Sequence, residues 1–270
     1  MEETGMDLGI AGRLALVTGG SKGIGKGVAL KLAEEGCHVI LLARDAAVVE
    51  AVAAEFRAKG LKAHGYSADI TDKTQVLAVL AKIRAEHGDP EILIYNNGGA
   101  ADSYFEQATD EEYIQANQLL ILGFAWCVQA LLPSMKQKRW GRILTLGSIC
   151  AKEPHRDYHG ILHNLGRPAQ IGMSKTLANQ YGEFGITFNV IATGTIANDG
   201  TSVQRSWAQN QAAGVTEEEV LARRLRNVPL KRLGTLEEYS AVCAFLCSEP
   251  AAYVTGQTIV VDGGRVNSLM

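Results

Sequence analysis

Apolar positions along this chain follow two alternating rhythms. Short runs dominated by apolar residues occur at Leu14–Thr18, His38–Leu42 (HVILL), Ala63–Tyr66, Glu91–Tyr95 (EILIY), Arg142–Leu146, Thr187–Ile191 and Thr258–Val261. Runs this short, with little polar alternation, predict strands buried on both faces of a parallel sheet. Between them apolar residues recur at helical spacing. The predicted helices cover Val28–Glu35, closed by Gly36, then Ala46–Lys59, and then a stretch capped by Thr71 or Asp72 that runs to His87. Further helices cover Glu111–Leu132, stopped by Pro133, then Ala169–Glu183 and Leu236–Cys247. Strands alternating with helices over the whole length predict an α/β fold: a doubly wound, seven-stranded parallel sheet with helices on both faces. Residues 195–227 break the rhythm, being polar and irregular with helical pieces. With no linker, repeat or low-complexity tract, residues 1–270 read as a single domain.

Composition narrows the function by exclusion. The 270 residues are 47% hydrophobic and 20% charged, ordinary for a soluble protein with a substantial core. A formal charge of −3 and a pI near 6.1 supply no net attraction to nucleic acid or an anionic membrane. No apolar run reaches the roughly 18–20 residues that span a bilayer. The start MEETGMDLG lacks the basic and apolar parts of a signal peptide. Five cysteines without a CxxC pair fit reduced thiols in the cytoplasm. Cys243 and Cys247, four apart, read as apolar core residues on one helix face. The expected partner is a small molecule, with neither nucleic acid nor membrane.

The chemistry begins at Leu14–Gly27, LALVTGGSKGIGKG: a strand, a loop with glycines at 19, 20, 23 and 25, then a helix start. Glycines there allow unusual dihedrals and close backbone approach. The following helix offers unpaired N–H groups and a positive dipole end to a phosphate. In a doubly wound sheet, ligands bind beyond the carboxyl ends of the strands, where this loop, Asn96 and Ser148 should gather.

Further motifs follow in order: Thr18-Gly19-x-x-x-Gly23-x-Gly25, Asp69, Asn96-Asn97-Gly98-Gly99, Asn117, Ser148, Asn189, and Thr255-Gly256-Gln257 with Val261-Asp262-Gly263-Gly264. With these the chain resembles the short-chain dehydrogenase/reductase family over nearly its whole length. The resemblance implies a Rossmann-type fold and a nicotinamide cofactor. Gly19, Ser21, Gly23 and Gly25 would form the pyrophosphate turn, with Ile24 beneath the nicotinamide end. Asp69 would bind the adenine amino group and Ile70 the ring, while Asn96 and Gly98 would lie along the adenosine ribose. Thr193, Gly194, Thr195 and Ile196 stand where the family has a Pro-Gly pair bordering the nicotinamide, the proline being replaced by Thr193.

Cofactor choice follows from charge. An acidic residue ending the second strand would bind a ribose 2′-hydroxyl and repel a 2′-phosphate. Here the position is Ala43, followed by Arg44, and Lys22 sits in the glycine loop. Two cations without a carboxylate favour NADP(H) over NAD(H). Asp45 reads as the cap of the next helix.

The resemblance breaks between Ser148 and Ile171, where the family carries Tyr-x-x-x-Lys. Aligned back from Ile171-Gly172-Met173-Ser174-Lys175, that pair falls on His163 and Arg167. Pro168 follows and suits a first helical turn, so a helix is expected to start close to Arg167. Arg167 could bind ribose hydroxyls and keep a positive charge but cannot shuttle protons. His163 can exchange protons near pH 7. The leading reading is an oxidoreductase interconverting a ketone, 3-oxoacyl-like or another small carbonyl, and a secondary alcohol. Ser148 would orient the substrate, Asn117 would hold a relay water, and His163, or Tyr158 from the preceding loop, would be the acid. The alternatives are a cofactor-binding sensor or scaffold without hydride transfer, and an isomerase or lyase on the same fold. His155, His159 and His163 recur every four residues, but Pro154 and Gly160 argue against one helix, and no metal is expected. Residues 195–227 would form the substrate lid, with Thr201, Ser202, Gln204, Arg205, Ser206 and Trp207 as lining candidates. Arg223, Arg224 and Arg226 read as solvated helix surface. The resemblance also implies a homo-oligomer, a tetramer or dimer, assembled through the long helices.

Overall fold

Seven parallel strands hydrogen-bond in the order β3-β2-β1-β4-β5-β6-β7 in the computed structural model, which describes residues 6–154, 160–198 and 214–269. They are β1 (Leu14–Thr18), β2 (His38–Ala43), β3 (Ala63–Ser67), β4 (Ile92–Tyr95), β5 (Gly141–Leu146), β6 (Ile186–Thr193) and β7 (Thr258–Val261). Every predicted strand is present. The order reverses between β1 and β4, which opens a crevice at their carboxyl ends.

The helices are α1 (Gly23–Glu34), α2 (Ala46–Ala58), α3 (Lys73–His87), α4 (Asp110–Asn117), α5 (Gly123–Lys138), α6 (Ile161–Tyr181), α7 (Glu217–Leu225) and α8 (Leu236–Leu246). Alternate strand residues feed two cores. Ala15 and Val17 join α1, α2 and α8 on one face. Leu14 and Leu16 join α3, α5 and α6 on the other. Cys243 and Cys247 lie fully buried in the first core, as the sequence predicts.

Two expectations about prolines need correction. Pro133 does not stop its helix: α4, a π turn at Gln118–Leu122 and α5 run on continuously to Lys138. Pro168 lies well inside α6, which begins at Ile161 rather than near Arg167. A proline in a helix interior removes one hydrogen bond and crowds the preceding turn. Both prolines lie on solvent-exposed faces. The buried stripes Leu131, Leu132, Met135 and Leu162, Gly166, Gln170 continue past them, so packing outweighs the local cost. His163 and Arg167 therefore share one face in the first turns of α6.

The π turn has a tertiary cause. Widening the helix frees carbonyls, and two are taken by side chains. The Tyr95 hydroxyl donates to the Leu119 carbonyl at 2.6 Å and Gln170 Nε2 to the Leu120 carbonyl at 2.8 Å. Gly166 lets α6 cross here, since a Cβ would lie 2.3 Å from Leu120 Cδ1. Tyr95→Phe should cost roughly 1–3 kcal/mol by orphaning a buried acceptor, measurable as a lower urea midpoint with an unchanged m value. The continuous helix, Asp110–Lys138, is long and apolar enough to cross a membrane by length and composition. Here Phe124, Cys127, Val128 and Leu131 bury its inner face against the sheet.

Candidate active site

β1 delivers the chain to a turn that only glycines can make. Gly19 and Gly23 have φ of +59° and +55°, and a Cβ on Gly25 would lie 2.2 Å from the Gly19 carbonyl oxygen. Asn96, at the end of β4, locks the turn from the neighbouring strand. Its Nδ2 donates to the Gly19 carbonyl at 3.2 Å, and its backbone N–H donates to Thr18 Oγ1 at 2.9 Å. The turn ends in a helix whose first amides are left open. Asp45, Asp72, Thr109, Thr216 and Thr235 each cap their helices with a side-chain oxygen, whereas Lys22 makes no capping bond to α1. Open N–H groups, a positive dipole end and a surface free of Cβ atoms fit a dinucleotide pyrophosphate. Ser21 and Ile24 flank the turn, half-buried. Lys22 and Arg44 are exposed, and neither forms an ion pair among the described residues. Asp45 turns back to accept the Val48 N–H, as its expected capping role requires.

Arg167 is the strut behind the site, only 6% exposed. Nη1 donates to the Leu146 carbonyl at 3.0 Å and to Gln170 Oε1 at 3.1 Å, and Nη2 donates to Asn97 Oδ1 at 3.0 Å. One guanidinium thus ties the ends of β4 and β5 to α6, and a planar fork suits three acceptors better than an ammonium would. Asn97 also accepts the Gly99 N–H at 3.2 Å, which shapes the loop after β4. Arg167→Ala should cost roughly 3 kcal/mol or more, since it strands buried acceptors. A thermal melt should then fall by about 6 °C or more.

Ser148 follows β5, and His163 lies one turn before Arg167 on α6. Gly147 donates to the Ile191 carbonyl at 2.8 Å, which ends β5 and turns Ser148 out of the sheet. Ser148 Oγ accepts the Cys150 N–H at 3.2 Å, capping a short turn at Ile149–Ala151 against which α6 packs. With that acceptor role filled, the hydroxyl proton remains for a ligand. His163 is 12% exposed, and its Nε2 faces Asp102 Oδ1 at 3.5 Å. Its ring packs on Gly99, where a Cβ would come within 2.7 Å of Cε1. A bridge pairing Ser103 with Gly160 brings Asp102 beside the start of α6. No spacing in the sequence marks Asp102 or Asn97 for these roles, because their contacts with His163 and Arg167 join separate elements, whereas Gln170 meets Arg167 at i,i+3 within α6.

A family model described as enoyl-(acyl carrier protein) reductase matches residues 19–265. The chain belongs to the short-chain dehydrogenase/reductase family. It is similar to the 3-oxoacyl-(acyl-carrier-protein) reductase of Haemophilus influenzae, at 34% identity over 253 residues, covering 94% of this chain and 98% of that one. The Escherichia coli K12 protein of the same name is 35% identical, covering 94% and 97%. Among solved structures, L-sorbose reductase from Gluconobacter frateurii, complexed with NADPH and L-sorbose, superposes with a TM-score of 0.91 at 30% identity. That match covers 98% of this chain and 100% of the other.

In this short-chain dehydrogenase/reductase the remaining predicted residues divide by location. Asp69 Oδ1 accepts from the Thr71 N–H at 2.9 Å and Oγ1 at 2.7 Å, shaping the loop after β3, and Ile70 packs partly against the core. Gly98 is exposed with open space at its Cβ position. Gly194 is required by close packing, since a Cβ would lie 2.5 Å from Asp262 Cα. Thr193 hydrogen-bonds the Tyr239 hydroxyl at 2.6 Å, Thr195 is buried, and Ile196 points into the core beside Gly234 rather than into the crevice. Asn117 is exposed at the junction of α4 and the π turn. Tyr158, His155, His159 and the lid candidates Thr201, Ser202, Gln204, Arg205, Ser206 and Trp207 lie outside the described residues.

Proposed function

We propose that this protein reduces a ketone to a secondary alcohol with NADPH and runs the reverse oxidation with NADP+. The observation that carries the reading is the uncapped start of α1, framed by Gly19, Gly23 and Gly25, with Ser148 just past the end of β5 and His163 in the first turn of α6. When bound, the nicotinamide supplies or accepts the hydride. The chain's own residues do the rest. Gly19, Gly23 and Gly25 with the α1 amides hold the pyrophosphate, and the Ser148 hydroxyl donates a hydrogen bond that orients and polarises the substrate carbonyl. His163 delivers the proton to the alkoxide. Asp102 Oδ1, 3.5 Å from Nε2, orients the ring. Arg167 keeps a buried positive charge beneath the site. Tyr158 is the second candidate donor.

Lys22 and Arg44, with no acidic residue at Ala43, support the phosphorylated cofactor. The double variant Lys22→Ala/Arg44→Ala should weaken NADPH binding about 10- to 100-fold while leaving NADH within about twofold, as read by fluorescence titration. The relatives named above support a 3-oxoacyl chain or a polyhydroxy ketone as substrate class. All five cysteines are unpaired, four of them buried, which supports the reducing cytoplasm. Exposed Ile114, Leu122 and Leu165, between α4 and α6, support self-association as a tetramer or dimer. The test is NADPH consumption against a panel of 3-oxoacyl thioesters and ketoses. Turnover with alcohol formation supports the reading. Tight cofactor binding without turnover on any ketone replaces it with a cofactor-binding protein, or, if a non-redox substrate is consumed, with an isomerase or lyase.

A further inference from the structure

Three histidines converge at the end of the sheet opposite the glycine turn. His38 opens β2, and His64 lies near the start of β3. The register pairs Ile40 with His64, so His38 and His64 project from the same face of the sheet. That face is covered by α3, whose last residue is His87. Ring centroids lie 5.0 Å apart for His38 and His64, 5.1 Å for His38 and His87, and 4.3 Å for His64 and His87. One nitrogen from each ring lies within 4.8 Å of the others.

Packing alone accounts poorly for this trio. His38 Nε2 is buried without a hydrogen-bond partner, a cost that a ligand at that atom would remove. We propose that His38, His64 and His87 form a binding site for a divalent transition-metal ion, zinc foremost, that staples the ends of β2, β3 and α3 together. Imidazole nitrogens select zinc, copper or nickel over magnesium and calcium. Metal–nitrogen bonds of about 2.0–2.1 Å place tetrahedral ligand atoms about 3.4 Å apart, and the three nitrogens already lie within 4.8 Å of one another.

The surroundings complete the site. The Tyr66 hydroxyl bonds to Glu86 and lies 2.7 Å from His87 Nε2, and Glu86 Oε2 is 3.9 Å from the same nitrogen. A carboxylate and a phenol beside a ligating imidazole fix its ring orientation. A cleft of about 430 Å³ lined by Glu50, Arg57, His64, Tyr66, Lys82 and Glu86 opens to solvent on the His64 side of the triad. Burial and the neighbouring imidazoles, with Lys62 adding to them, push His38 down to about 4. His64 is lowered by burial, His87 and Arg57 against the opposing pull of Glu50 and Glu86. Neutral imidazole is the form that binds metal. At about 3.3 Å per residue, His38 lies about 17 Å along β2 from Ala43, so the ion would be structural and separate from the cofactor crevice.

The test uses full-length protein without a histidine tag. Zn²⁺ is titrated in competition with a chromophoric chelator, and Co²⁺ is read by its visible absorption. One equivalent should bind with micromolar affinity or better, give a four-coordinate Co²⁺ spectrum and raise Tm. His64→Gln, at the half-buried edge strand, and His87→Gln should each weaken binding at least 100-fold. The variant His155→Gln/His159→Gln/His163→Gln should bind as the parent does. Zinc-soaked crystals of the unaltered protein should show an anomalous peak bonded to His38, His64 and His87. Absence of binding at 100 μM Zn²⁺, undiminished binding in His64→Gln and His87→Gln, or an ion seated elsewhere overturns the proposal.

Discussion

Replacing His163 with phenylalanine should lower kcat for NADPH-driven ketone reduction by about 10²- to 10⁴-fold, the range a positioned general acid contributes. Phenylalanine keeps an aromatic ring beside Gly99 in the same 12%-exposed niche, so NADPH affinity should hold. Phenylalanine has no proton to give. Asp102→Asn should lower kcat by a smaller factor, about 10-fold, because the ring loses its orienting charge but keeps its proton. Tyr158→Phe should leave kcat within about twofold. Steady-state kinetics on the three variants separate the assignments. Full activity in His163→Phe with a collapse in Tyr158→Phe would transfer the acid role to the tyrosine.

Replacing Gly25 with alanine should weaken NADPH binding at least 100-fold and lower Tm. Its Cβ would lie 2.2 Å from the Gly19 carbonyl oxygen and 2.6 Å from Asn96 Nδ2, inside any tolerable contact. The turn would have to open, and the bond from Asn96 to the Gly19 carbonyl would break with it. Both faces of the pyrophosphate cradle would then move at once. Gly172→Ala is the matched control. That position is exposed on α6 with nothing near an added Cβ, so alanine should raise stability by about 0.5–1 kcal/mol and leave binding unchanged. Isothermal titration with NADPH, paired with thermal melts, reads both. Wild-type affinity in Gly25→Ala would show that the turn is not where the cofactor's phosphates sit.

The strands were legible because a strand buried on both faces must be apolar nearly throughout, as Leu14–Val17 and Ile92–Tyr95 are. Helix ends were legible where a cap announces them, as at Asp45 and Asp72. The two prolines misled, because local propensity at Pro133 and Pro168 is outweighed by buried stripes continuing on the opposite helix face. The π turn left no trace in the sequence, because its freed carbonyls are satisfied by Tyr95, more than 20 residues upstream, and by Gln170, 50 residues downstream.

The sequence by itself determined the doubly wound parallel sheet, the glycine turn at the mouth of β1, and the presence of histidine and arginine four residues apart beyond Ser148. Those features are written in runs, spacings and residue types within one element or at its ends. Only the tertiary structure decided that Arg167 spends its fork on Leu146 and Asn97, that Asp102 stands behind His163, and that His38, His64 and His87 meet. Such contacts depend on which strands pair, in what register, and on how closely α6 crosses the π turn. None of these is a function of distance along the chain.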